Sequence, residues 1–103
     1  MTLEMQFERD VYEGYELLKR ECHYNATYFL QVLQEHGGVG TAKRLLASQE
    51  FQAGLIRLWE EGQLFNSLEN AVCQRKYRML FTTEEIRTAK KRLKDLEFDS
   101  QEW

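Results

Sequence analysis

The side chains that could hold a soft metal are Cys22, His23, His36 and Cys73. A tetrahedral zinc site is normally built on close ligand pairs such as C-x2-C, set by one tight turn. Here two ligands are adjacent and the others stand far apart, so no such pair exists. No metal and no cofactor are expected. Cys22 beside His23 does not make a thiolate dyad either. Sequence neighbours on a helix point about 100° apart, and a nucleophile also needs an orienting group and an oxyanion site. The acid pairs Glu60-Glu61 and Glu84-Glu85 share that geometry and read as solvated helix residues, not as an acid–base couple. The sequence therefore supplies no catalytic residues, and a non-enzymatic protein is expected.

Two further segments bear on ligands. Gly37-Gly38-Val39-Gly40 precedes Thr41-Ala42-Lys43-Arg44, and a glycine turn opening a helix can hold an anion on free N–H groups. A Walker loop needs G-x-x-x-x-G-K-[ST] after a strand, and this segment has neither the spacing nor the strand. Helix capping on both sides accounts for the glycines without a ligand. The second segment, Gln74-Arg75-Lys76-Tyr77-Arg78, sets three cations around an aromatic ring, a mix suited to phosphates and stacking. Farther on, Arg87, Lys90, Lys91 and Lys94 form a broad basic face of one helix. These eight residues, Arg75, Lys76, Tyr77, Arg78, Arg87, Lys90, Lys91 and Lys94, are the candidate partner or nucleic-acid contacts. The alternative is that Tyr77 and Leu80 pack inward and leave the cations as solvated cover.

The charge is unevenly spread. The net charge is −3, from 14 basic and 17 acidic side chains. Residues 1–70 carry a balance of −5, residues 71–94 of +6 and residues 95–103 of −4. A basic face of this kind can meet phosphate or an acidic partner.

These residues need elements to carry them, and the pattern is helical throughout. The chain has 103 residues and no proline, which suits a nearly all-helical single domain. Phe7, Val11, Tyr15, Leu18 and Cys22 make one stripe of a first helix over 2–22, capped by Thr2. Gly14 interrupts it and permits a close approach by another element. A second helix is expected over 26–36, ended by Gly37-Gly38, and a short third after Thr41. A fourth opens near Ser48 and Glu50, turns Phe51, Leu55, Leu58 and Trp59 inward, and ends at Gly62. Asn66 is the expected cap of a fifth over 67–75. Thr82 and Glu85 have capping-box spacing for a last helix over 83–96, with Phe81 before the cap. The fold class is all-α, a compact bundle of five or six short helices. Residues 1–96 form the domain, and 97–103 an acidic tail, loose or docked by Phe98 and Trp103.

The stretch from Tyr24 to Leu93 resembles a widespread family of small bacterial helical proteins and domains with no assigned activity. The matching residues are Tyr28-Phe29-Leu30, Glu35-His36-Gly37-Gly38, Thr41-Ala42-Lys43-Arg44-Leu45-Leu46, Gly54-Leu55 with Leu58-Trp59-Glu60, Leu68-Glu69, and Leu80-Phe81-Thr82 with Glu84-Glu85 and Ala89. Where that pattern has a hydrophobic–Asp–Leu after the Trp59 helix, this chain has Leu64-Phe65-Asn66. The resemblance implies a compact helical unit in a bacterial, phage or mobile-element setting, and no catalytic residues.

The function expected from these features is a small regulatory module that binds another protein, acting on a host defence complex in the phage setting. The second reading is nucleic-acid binding through residues 75–94. No segment has the apolar length to span a bilayer and no secretory signal opens the chain, so a cytoplasmic protein without a membrane partner is expected. A homodimer through Tyr12 and Leu17 is a further possibility of the long first helix.

Overall fold

Thr2 opens the first helix as its residue type predicts: its hydroxyl accepts the Met5 N–H at 3.1 Å. The computed structural model describes residues 1–22, 27–48, 52–100 and 103. Helix α1 (Leu3–Cys22) buries Phe7, Val11, Tyr15 and Leu18 on one stripe. The Cys22 side chain, His23, Glu50 and Phe51 lie outside the described residues.

Helix α2 (Thr27–Ala47) breaks at Gly37, whose φ of 74° and ψ of 176° are not helical. The sequence expectation of two helices separated by glycines is thus met by one kinked element. Leu33 is buried before the break, and Thr41, Ala42, Leu45 and Leu46 after it. His36 is exposed.

Helix α3 (Gln52–Glu60) turns Leu55 and Leu58 inward. It ends in a Schellman turn, with Gly62 N–H on Trp59 O at 3.1 Å and Gln63 N–H on Leu58 O at 2.8 Å. Gly62 takes the left-handed φ of 68° that this turn requires. Trp59 was expected inward and is instead half exposed. The nine-residue helix has its main contact with one neighbour, and Leu55 and Leu58 take its buried positions in the core.

That neighbour is a 3-10 turn, η1 (Leu64–Asn66), which leads into α4 (Leu68–Cys73). The cap of α4 is Ser67, not Asn66: the Ser67 hydroxyl accepts the Asn70 N–H at 3.1 Å. Asn66 closes η1 instead. Its carbonyl lies 3.3 Å from where a Cβ on Gly14 would stand, so Gly14 does admit a close neighbour. A second 3-10 segment, η2 (Arg75–Leu80), precedes α5 (Thr83–Asp95). The capping box of α5 is complete: Glu85 N–H donates to Thr82 Oγ1 at 3.1 Å and Thr82 N–H to Glu85 Oε1 at 2.8 Å.

The core centres on Phe7. Its ring meets Tyr77 edge-on at 5.1 Å between centroids and Phe81 at the same distance. Val72, Ala89 and Leu93 join from α4 and α5. Tyr12 is partly buried and packs against this core. Among the described residues there is no strand, and no helix is long and apolar enough to cross a membrane.

Candidate interaction site

The predicted contact residues divide once placed. Tyr77 is buried at 1% exposure, and its hydroxyl donates to the Asp10 carboxylate. Burial first, and the Asp10 carboxylate second, hold its phenol proton on. It is a core residue and presents no ring for stacking. Lys76 lies over that ring at 5.1 Å and 3.4 Å from Asp10 Oδ2. Lys91 pairs with Asp95 at 3.2 Å. The side chains of Arg78, Arg87 and Lys94 make no hydrogen bond or ion pair among the described residues.

The aromatic ring that does lie among the cations is Trp103. Arg75 Nε donates to Trp103 O at 2.7 Å, and Lys90 Nζ stands 5.8 Å from the Trp103 ring centre. The indole N–H donates to Asn70 Oδ1 at 3.0 Å. Phe98 and Trp103 pack against the core. Trp103 draws together η2 and α5, which pack mainly on other elements, η2 on α1 and α4, α5 on α4 and α2.

Arg92 belongs to the same charge run but is an interior residue. Its guanidinium donates to Leu45 O at 3.0 Å, Leu46 O at 3.3 Å and Ser48 O at 3.0 Å. Two are carbonyls of the last turn of α2 and the third follows it; Leu45 O also accepts the Ser48 N–H at 3.4 Å. Arg92 therefore caps α2 from α5. Glu69 Oε2 lies 3.7 Å from Arg92 Nη1, is fully enclosed, and has no hydrogen-bond partner. Burial raises the Glu69 pKa, because the Arg92 donors are directed at carbonyls and offset the lost hydration only in part.

Cys73 is buried beside it, and burial pushes its thiol up to about 12. A protonated buried thiol is neither nucleophile nor metal ligand. Among the described residues no group of three His, Cys, Asp or Glu side chains could hold a metal. The glycine segment also carries an internal anion: Glu8 Oε1 accepts the Gly38 N–H at 2.8 Å.

The feature that sequence reading missed is a cleft of about 440 Å³ along α1, between Asp10 and Leu18. Tyr15, Phe29, Leu55 and Leu58 line it from three helices, and Asp10, Glu13 and Lys76 stand along it. Phe65 is on its rim and is 60% exposed; Trp59 and Ile56 on α3 are 50% and 41% exposed. Only tertiary packing brings α1, α2, α3 and α4 together here, so no local pattern announces the cleft. Compared with protein-family models, curated proteins and solved structures, the chain matches none.

Proposed function

We propose that this chain is a non-enzymatic protein-interaction module that docks through α3 and η1. The observation that carries this reading is the exposure of Ile56, Trp59 and Phe65 on two packed neighbours. Large apolar side chains clustered on a small domain mark interaction surfaces, and Trp is the residue most often found at the energetic centre of an interface. The bacterial or mobile-element setting, and action on a host defence complex, are part of this proposal and rest on the family resemblance alone. The test is recovery of a partner from bacterial lysate by the tagged chain, after nuclease treatment and at two salt concentrations. A specific protein retained by the parent chain and lost by the Trp59→Ala/Phe65→Ala double variant supports docking at this face. Equal recovery by both chains refutes it.

A second reading is nucleic-acid binding through Arg75, Arg78, Arg87, Lys90 and Lys94. It is favoured by the three cations without a partner among the described residues and by the half-buried Trp103 between Arg75 and Lys90. Binding of this kind weakens steeply with salt, because phosphate contacts release counterions. Charge reversal at Lys90 and Lys91 should abolish it, and survival of binding in that variant removes the reading.

A further inference from the structure

We propose that the cleft along α1 is a binding site for a small amphiphilic organic cation, an arylalkylamine or its like, with its apolar body against Tyr15, Phe29, Leu55 and Leu58 and its ammonium toward Asp10 and Glu13. This site lies inside the rim that Phe65 forms and goes beyond the protein-docking reading.

Size is the first support. The volume of about 440 Å³ falls within the range of small-molecule pockets, on the order of 300 to 1,000 Å³. The walls are mainly apolar, and the Tyr15 and Phe29 rings lie 6.2 Å apart at a tilt of 33°. They offer an aromatic body faces and edges to pack on.

Polarity is the second. Tyr15 is only 4% exposed, and its hydroxyl bonds to none of the described residues. Tyr15 lines the cleft. A buried hydroxyl without a partner among the described residues is a place for a ligand group or a water. The neighbouring polar groups are already engaged. Asn70 Nδ2 donates to Phe65 O, and Gln74 Nε2 to Asn70 O.

Charge is the third and decides the sign. Asp10, Glu13 and Glu69 line the cleft against a single base, Lys76. Glu69 is sealed inside and does not present its carboxylate. Asp10 already receives Tyr77 and Lys76, and Glu13 lies 3.5 Å from Arg9. A carboxylate has about four acceptor sites, so both retain capacity for an ammonium. Within the lining an anion would meet two carboxylates and one ammonium; Arg9 beside Glu13 stands outside the lining, exposed and screened by water.

The test is a ¹⁵N–¹H chemical-shift titration of the full chain with phenethylamine, and in parallel with phenylpropionate. The expected result is saturable shifts confined to the cleft, Gly14, Gly54 and Ser67 included, with phenethylamine, and much weaker ones with the carboxylate. Glu13→Gln should weaken the amine about fivefold, and Lys76→Gln should tighten it by a similar factor. Both positions are exposed, so neither variant threatens the fold. Tyr15→Phe should weaken it further while leaving the core volume unchanged. Equal binding of amine and carboxylate, shifts outside the cleft, or a Glu13→Gln variant that binds as the parent does would each overturn the assignment. Loss of the docking face in Trp59→Ala/Phe65→Ala with amine shifts retained would show that the two sites stand independently.

Discussion

The Glu8 carboxylate on α1 accepts the Gly38 N–H at 2.8 Å, thirty residues along the chain, where the second half of α2 begins. The glycine run thus holds an anion, as a glycine turn at a helix start can, and that anion is the protein's own side chain. The approach is close. A Cβ on Gly38 would stand 2.7 Å from Glu8 Cα, and one on Gly37 would stand 2.9 Å from Glu8 Oε1. Gly38→Ala should therefore force backbone apart and destabilise by about 2 kcal/mol or more. At Gly40 the nearest obstacle is a single atom, His36 Cβ at 3.2 Å, a milder approach than the 2.7 Å at Gly38, and Gly40→Ala should cost less. Glu8→Gln keeps the shape and removes the charge at the helix start, a loss of about 1 kcal/mol. Urea midpoints of the three variants check this ordering.

How much of this was legible follows from how local each device is. The Thr82–Glu85 box spans one turn, and its residue types alone announce it. Gly62 announces its Schellman turn for the same reason. Asn66 and Ser67 are both cap-competent neighbours, and the choice between them is made by η1, whose end is held against Gly14. Tyr77 stands in a basic run but meets Phe7 and Asp10 from α1, contacts that no local window contains. Arg92 did leave a signal. It follows Ala89 by three residues and precedes Leu96 by four, the spacing of one helix face, yet in a run of cations it passes for another solvated base.

The raised Glu69 pKa makes stability depend on pH in a stated direction. Between the ordinary carboxylate value and the raised one, the folded state binds more protons than the unfolded chain. Stability should then fall as pH rises through that window. Glu69→Gln should remove the decline, so that its stability relative to the parent chain is greater above that window than below it. Glu85 acts with the opposite sign. Desolvation pushes its carboxyl up, but the Lys43 ammonium at 2.7 Å and the Thr82 amide outweigh it and hold it below the usual range. Its contribution is present above the ordinary carboxylate value and lost as pH falls toward the lowered one. Unfolding curves of the parent chain, Glu69→Gln and Glu85→Gln across pH separate the two.

A stabilising substitution is available at the end of α5. Glu97 N–H donates to Lys94 O and Phe98 N–H to Leu93 O, both at 2.9 Å, the same Schellman turn that Gly62 closes after α3. Glu97 holds a left-handed φ of 62° with a full side chain, and such a conformation costs about 1 kcal/mol without a glycine. Glu97→Gly should raise stability by somewhat less than that figure, since glycine also frees the unfolded chain. Thermal unfolding should show a midpoint higher by a few degrees, whereas a fall would mean that the Glu97 side chain itself stabilises the tail.

Arg92 joins α5 to the end of α2 by three carbonyl bonds, and its value lies in the fork. Lysine keeps the charge but offers a single ammonium on a flexible stem, which cannot reach Leu45 O, Leu46 O and Ser48 O in the same geometry. Arg92→Lys should therefore destabilise by about 1 to 2 kcal/mol, in line with the loss of charged hydrogen bonds. Arg92→Ala should cost about 3 kcal/mol or more, because it removes three charged bonds to carbonyls at the end of α2 and leaves buried Glu69 without the one ion-pair partner it has among the described residues. The double variant Arg92→Met/Glu69→Leu removes both buried charges and should recover part of that loss. Hydrogen exchange adds a readout that global stability does not: the last turn of α2 should lose protection first in Arg92→Lys, ahead of α1. If protection fell evenly over the whole chain, the clamp would be a feature of the core as a unit and not of the α2 end.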